Sequence, residues 1–219
     1  MNSRQIALHV EYTLLAPEAT TEDVERLCRE ARECGFFGVC VNGAWVRRAR
    51  ECLTGSGIAV VSVAGFPLGA MSTASKCSEC ENAVSDGADE IDVVLNIGRL
   101  LQGDDRYVLQ ELCEIVRAAQ GRPVKVILET CLLGDDRKIS ACRLAVESGA
   151  RFVKTSTGFS RSGATTADVA LMRRTVGPDF GVKASGGIRD AGSASAMLAA
   201  GASRLGTSSG VAIWRELQG

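Results

Sequence analysis

Short β-branched runs alternate with longer amphipathic stretches along the whole chain. The runs cover residues 10–15, 38–42, 58–65, 90–96, 124–129, 152–156, 182–185 and 204–208, and they read as strands. Between them, residues 21–33, 45–53, 73–85, 105–119, 136–148, 166–176 and 191–200 carry helical spacing of apolar positions. Thr20 with Asp23, and Thr165 with Asp168, have the spacing of a capping box at two helix starts.

Strands that alternate with helices predict a parallel sheet, and eight units suit a single-domain (β/α)8 TIM barrel over residues 1–219. An internal echo supports repetition. Gly87-Ala88-Asp89-Glu90-Ile91-Asp92, Gly149-Ala150-Arg151-Phe152-Val153-Lys154 and Gly201-Ala202-Ser203-Arg204-Leu205-Gly206 each place a helix-ending glycine just before a strand. The last residue differs each time, so the scaffold repeats while the chemistry varies. A doubly wound sheet would carry G-x-G-x-x-G after an early strand, and the chain has no such run.

The phase of polar residues within the strands is informative, because strand side chains alternate between faces. In 90–96, Ile91, Val93 and Leu95 oppose Glu90, Asp92, Val94 and Asn96. In 124–129, Lys125, Ile127 and Glu129 share a face, and Lys154 and Lys183 hold the same phase in their own strands. The apolar face of a barrel strand goes to the helices, so these charges point inward. Buried charges are costly unless paired, hydrated or functional. For Lys125 and Glu129, structural ion pairing and a functional role both stay open. Lys154 and Lys183, on consecutive strands, are candidates for chemistry.

Two ammonium groups in one desolvated pocket disfavour each other's charge. A lysine must lose its proton to attack a carbonyl, so one lysine made nucleophilic by another is a recipe for a Schiff base. Periodicity alone does not say which of the two attacks. Asp92 is placed to move protons. After the lysine strands come Thr155-Ser156-Thr157-Gly158, Ser185-Gly186-Gly187 and Gly206-Thr207-Ser208-Ser209, on the rim where barrels often hold phosphate. A small phosphorylated carbonyl compound is the expected substrate class.

Composition narrows the classes further. A net charge of −1, from 25 basic and 26 acidic residues, argues against a broad nucleic-acid surface. No apolar run approaches the about 20 residues that span a bilayer. The first ten residues lack a signal-peptide pattern, so the cytoplasm is expected. Nine scattered cysteines suit reduced, mostly buried thiols. Cys77-Ser78-Glu79-Cys80 has metal-pair spacing, but no second pair accompanies it and the only histidine is His9; a core-facing helical pair is the better reading.

The chain resembles the deoxyribose-phosphate aldolases over nearly its full length. The matching stretches include 38–42, Gly65-Phe66-Pro67-Leu68-Gly69, Glu90-Ile91-Asp92, 125–130, Phe152-Val153-Lys154-Thr155-Ser156-Thr157-Gly158-Phe159, Val182-Lys183-Ala184-Ser185-Gly186-Gly187-Ile188-Arg189 and 206–209. The resemblance implies reversible cleavage of 2-deoxy-D-ribose 5-phosphate to acetaldehyde and D-glyceraldehyde 3-phosphate, a step of nucleotide catabolism. It makes Lys154 the imine-forming residue, Lys183 its partner in depressing the pKa and moving protons, and Asp92 the relay through water. Thr157, Gly158, Gly186, Gly187, Gly206, Ser208 and Ser209, with Glu11, Thr13 and Cys40, are implied to bind substrate and phosphate. No cofactor or metal is implied, and a homodimer is the implied assembly.

Two departures stand out. The family's first strand commonly reads Asp-His-Thr-Leu-Leu-Lys-Pro where this chain has Glu11-Tyr12-Thr13-Leu14-Leu15-Ala16-Pro17, which bears on substrate preference. Some relatives end in a tyrosine that joins proton transfer, whereas this sequence ends Leu217-Gln218-Gly219. Two alternatives accompany the main reading: a Schiff-base aldolase for another aldehyde or sugar phosphate, and a non-catalytic sugar-phosphate-binding barrel.

Overall fold

A computed structural model describes residues 2–218; Met1 and Gly219, at the two ends of the sequence reading, lie outside the described residues. Eight parallel strands close into a barrel in sequence order, with β8 pairing back to β1. They are β1 Val10–Leu14, β2 Gly38–Val41, β3 Ala59–Ala64 and β4 Glu90–Val94. The second half comprises β5 Val124–Ile127, β6 Phe152–Lys154, β7 Gly181–Ser185 and β8 Arg204–Thr207. Every predicted strand is present; all but β7, which ends at Ser185 as predicted, are trimmed at the C-terminal end by one or two residues, where the chain turns into the rim.

The helices form the outer ring: α1 Ser3–Ala7, α2 Thr21–Cys34, α3 Val46–Leu53, α4 Thr73–Ser85 and α5 Ile97–Gln102. They continue as α6 Asp105–Ala118, α7 Asp135–Glu147, α8 Thr166–Val176, α9 Ala191–Ala199 and α10 Gly210–Glu216. Helix α2 shows how pattern becomes packing. Val24, Leu27, Cys28, Ala31 and Cys34 recur at helical spacing and are its buried residues. At its start Thr20 and Asp23 form the reciprocal capping box. The second predicted box is only half made. Thr165 accepts from the Asp168 N–H, but the Asp168 carboxylate turns away to Lys138 at 2.6 Å, a charged partner that outcompetes a backbone N–H. The echo glycines Gly87, Gly149 and Gly201 all lie just past helix ends at positive φ, of 102°, 84° and 111°.

Outward strand residues such as Val39, Val41, Ile91, Val93, Val126 and Val153 are buried against the helices in one continuous core. The barrel interior is divided. Leu15, Cys40, Val61 and Val63 make a small apolar cluster on one side, and the charged residues of β1 and of β4 to β8 fill the other. Outside the barrel, a second buried charge pair joins α4 to α6, with Lys76 Nζ 2.8 Å from Glu111 Oε2 and both side chains fully buried.

Candidate active site

Strand register delivers the charges to one place. Lys154 on β6 lies directly beside Lys183 on β7, and Asp92 on β4 lies beside Lys125 on β5. Both lysine amines reach the same oxygen: Lys154 Nζ is 2.8 Å and Lys183 Nζ 2.6 Å from Asp92 Oδ2. The other Asp92 oxygen accepts from Lys125 Nζ at 2.8 Å. Below them, Glu11 bridges Lys183 and Arg204, the latter at 2.9 Å, while Glu90 takes Lys125 at 2.6 Å. Gly206 leaves room for this arrangement, since a Cβ there would stand 2.9 Å from Lys183 Cε.

The cluster holds four cations, Lys125, Lys154, Lys183 and Arg204, against three carboxylates, Glu11, Glu90 and Asp92. Burial by itself would raise the Asp92 pKa, but Lys125, Lys154 and Lys183 together hold it well below the usual carboxylate range. Glu11 is shifted down in the same way, with burial overcome by Lys125, Lys183 and Arg204. Burial would also strip protons from Lys125 and Lys183; Asp92 and Glu11 reverse this and push both amines up. Lys125 is thus part of a structural ion cluster. Glu129 is not: its carboxylate accepts from the Thr157 hydroxyl and, at 3.3 Å, from the Thr157 N–H. Glu129 itself has a left-handed backbone (φ 56°), so its side chain leaves the alternating phase of β5. Asn96 likewise lies beyond β4, where its side chain caps α5 instead of pointing into the barrel.

Above the cluster a cavity of about 500 Å³ opens at the C-terminal rim. Of the charged cluster, Lys154 alone borders it, and the cavity is also lined by Thr13, Thr157, Gly158, Gly186, Gly187, Gly206 and Ser208. The N–H groups of Gly158, Gly186, Gly187 and Ser208 find no acceptor among the described residues, which leaves them available to an anion. Gly163 packs directly on the Gly186 backbone, and Ala164 N–H donates to the Gly186 carbonyl at 3.0 Å, fixing that loop.

Three expected binding residues lie elsewhere. Glu11 and Cys40 are fully buried beneath the cavity, Glu11 because its charge is claimed by Lys183 and Arg204. Ser209 is turned into the start of α10, its N–H donating to Thr207 Oγ1 at 2.9 Å. The altered first strand also resolves into two cases. Tyr12 faces outward, where its hydroxyl donates to Glu30 at 2.8 Å and its ring packs edge-on to Phe36. Ala16, in contrast, lines the cavity.

Among the described residues, Glu11, Cys40 and Asp92 form the one group whose potential metal-ligating atoms lie within 4.8 Å of one another. Their carboxylates already serve ammonium and guanidinium groups, and a further cation there would add to an existing excess of positive charge. Cys80 is buried in the core face of α4, with its thiol pushed up to about 12 by burial, and Cys77 is only partly covered. Glu90 joins the cluster from the inward face on which the sequence placed it, whereas the sequence reading overlooked Arg204, which holds the inward phase of β8. It also overlooked residues 14–18, Phe159, Ile188 and Arg189 in the cavity wall; loop residues carry no periodicity to announce them.

Fold and site together define a barrel enzyme with a buried amine at the floor of an anion-ready cavity. The chain matches the model of the DeoC/LacD family aldolases over residues 5–216. It is 55% identical over 205 residues to a deoxyribose-phosphate aldolase of Brevibacillus brevis, covering 94% of this chain and 93% of the relative. A second relative, the deoxyribose-phosphate aldolase of Streptococcus suis, is 55% identical over 96% of each chain. Among solved structures, one described as a putative deoxyribose-phosphate aldolase from Coccidioides immitis superposes with a TM-score of 0.97 at 40% identity, covering all of this chain and 87% of the other. The enzyme from Aeropyrum pernix, described as having a unique tetrameric structure, gives 0.92 at 35% identity over 99% and 92% of the two chains. This chain belongs to the DeoC/LacD aldolase family. No helix among the described residues is long and apolar enough to cross a membrane.

Proposed function

We propose that this aldolase reversibly cleaves 2-deoxy-D-ribose 5-phosphate through an imine on Lys154. The observation that carries the reading is the sharing of Asp92 Oδ2 by Lys154 and Lys183, with Lys154 alone of the cluster bordering the cavity. With four cations against three carboxylates, the cluster reaches neutrality when one amine lacks its proton. The free amine attacks the aldehyde carbon of the open-chain sugar, and loss of water leaves a protonated imine. Removal of the proton on the C3 hydroxyl then breaks the C2–C3 bond. Its electron pair moves onto C2 and into the iminium, forming an enamine, while C3 becomes the aldehyde of D-glyceraldehyde 3-phosphate. Protonation of C2 and hydrolysis of the imine release acetaldehyde and return the amine.

Asp92 and Lys183 supply the proton path, since each is within hydrogen-bond reach of the other and Asp92 also touches Lys154. The phosphate is held by the N–H groups of Gly158, Gly186, Gly187 and Ser208 in the cavity rim. Thr157 is fixed for this by Glu129. A cytoplasmic, dimeric enzyme belongs to the same reading: free thiols suit a reducing compartment, and light scattering measures the assembly.

The test is borohydride reduction in the presence of acetaldehyde, followed by peptide mass analysis. An adduct at Lys154 that is absent from Lys154→Ala is expected; an equal adduct in both proteins would sink the mechanism. Turnover of deoxyribose and of its 5-phosphate, compared side by side, then tests the phosphate rim. A large preference for the phosphorylated sugar is expected, and none would point to another aldehyde substrate.

A further inference from the structure

Just past the end of β5 the ladder to β6 slips by one residue. The Leu128 N–H donates to the Lys154 carbonyl and the Thr130 N–H to the Thr155 carbonyl, both at 2.9 Å. Two steps on one side therefore meet one step on the other, and the extra residue of this bulge is Glu129. Its backbone is left-handed (φ 56°, ψ 63°), a region that a residue with a Cβ keeps only where its surroundings enforce it. Among the described residues one other non-glycine, Gln120, has positive φ, and it is exposed, whereas Glu129 is 2% exposed.

The bulge aims the carboxylate at the turn that follows β6. It accepts from the Thr157 hydroxyl and, at 3.3 Å, from the Thr157 N–H, and Thr157 Oγ in turn accepts from the Phe159 N–H at 3.0 Å. Of three consecutive N–H groups, those of Thr157 and Phe159 are taken and that of Gly158 is left for the cavity. Arg161 makes a second tie between the same segments, its Nε donating to the Cys131 carbonyl at 3.0 Å. Among the described residues the Glu129 carboxylate meets hydroxyl, N–H and thiol donors, and no cation. A buried charge without a counter-ion is costly, and a neutral acceptor would suffice to shape a turn. The charge has a use beside an anion site: a charged acceptor keeps its donors when a phosphate arrives, where a neutral one competes poorly.

We propose that Glu129 is a positioning residue that sets specificity for the phosphorylated sugar. By locking residues 157–159 it fixes the span from Lys154, the last residue of β6, to the Gly158 N–H. That span decides which substrates reach both at once. Glu129 itself does not line the cavity. The inference rests on reading Lys154 as the imine-forming residue and the glycine rim as the phosphate site.

The experiment compares KM and kcat for deoxyribose and for its 5-phosphate. Glu129→Gly removes the carboxylate yet suits the left-handed backbone, so it separates the lost contact from backbone strain. Its KM for the 5-phosphate should rise about tenfold, while its kcat and its KM for deoxyribose stay within about twofold of wild type. Thr157→Val should raise the KM for the 5-phosphate at least as much. The double variant Glu129→Gly/Thr157→Val should be no weaker than Thr157→Val alone, because both changes remove one contact. Should Glu129→Gly not fold, Glu129→Asn replaces it, since asparagine tolerates the same backbone and is one methylene too short to reach Thr157.

Equal rises in KM for both sugars, no rise for either, or additive effects in the double variant would overturn the proposal. A wild-type enzyme that does not distinguish the two sugars would instead overturn the phosphate-site reading. One that gives no acetaldehyde adduct at Lys154 would overturn the imine reading.

Discussion

The molecule buries lysine against carboxylate in two places, and the two arrangements behave in opposite ways. Between α4 and α6, Lys76 and Glu111 form a closed pair at 2.8 Å, one charge against one, with Thr73 Oγ1 3.3 Å from the second carboxylate oxygen. There burial outweighs the partner, and the Lys76 pKa is lowered. Inside the barrel Lys125 and Lys183 each meet more than one carboxylate, and for both the partners outweigh burial. The helix pair is complete and both of its side chains are fully buried. The barrel cluster is uneven and ends at a cavity. Burying a charge is therefore not enough to make a reactive group; what matters is a surplus placed where a ligand can reach it.

The sharpest way to break this contrast is to remove the end of the cluster that borders the cavity. Lys154→Met should abolish acetaldehyde trapping and lower kcat/KM at least about 10³-fold, measured with the sugar phosphate. Asp92→Asn removes the oxygen that both lysines share, and kcat should fall about 10²-fold or more, with a smaller change in KM because Asp92 does not line the cavity. The helix pair should fail in the other currency. Lys76→Met strands Glu111 in the core and should cost about 3–5 kcal/mol in urea unfolding, while kcat of the folded fraction stays at the wild-type value. Lys76→Met combined with Glu111→Leu should recover most of that loss; no recovery would show that the pair does more than satisfy itself.

The mildest test is pH. Asp92 and Glu11 are held below their ordinary values of 3.8 and 4.5, so their contribution to stability is fully present above those values. It is lost as pH falls through the lower folded values. The gap in urea midpoint between wild type and Asp92→Asn should accordingly be level above about pH 5 and close on further acidification. A gap that is unchanged in acid would mean that Asp92 stabilises the barrel by packing and not by charge.

Much of this was readable in advance, for identifiable reasons. Strands buried on both faces show clear β-branched runs, and the inward phase of Asp92, Lys154 and Lys183 follows from a period of two. Three helices escaped notice. Ser3–Ala7, Ile97–Gln102 and Gly210–Glu216 span five to seven residues each, too few for a 3.6-residue period to repeat twice. The depth of a side chain along the barrel axis also escaped, because it depends on how eight strands are staggered. For that reason Glu11 was expected at the substrate and stands instead between Lys183 and Arg204. Glu129 escaped through a single left-handed residue, which ends the alternation that the prediction relied on.

The third echo ends on Gly206 where the first two end on Asp92 and Lys154. Its missing side chain is the corridor through which Lys183 crosses toward Asp92. Two positions in neighbouring strands are thereby bound into a single heritable unit. A lineage that placed even a methyl group at position 206 would have to reroute the lysine at 183 in the same step, so drift at either position is constrained by the other although neither side chain shows the debt alone.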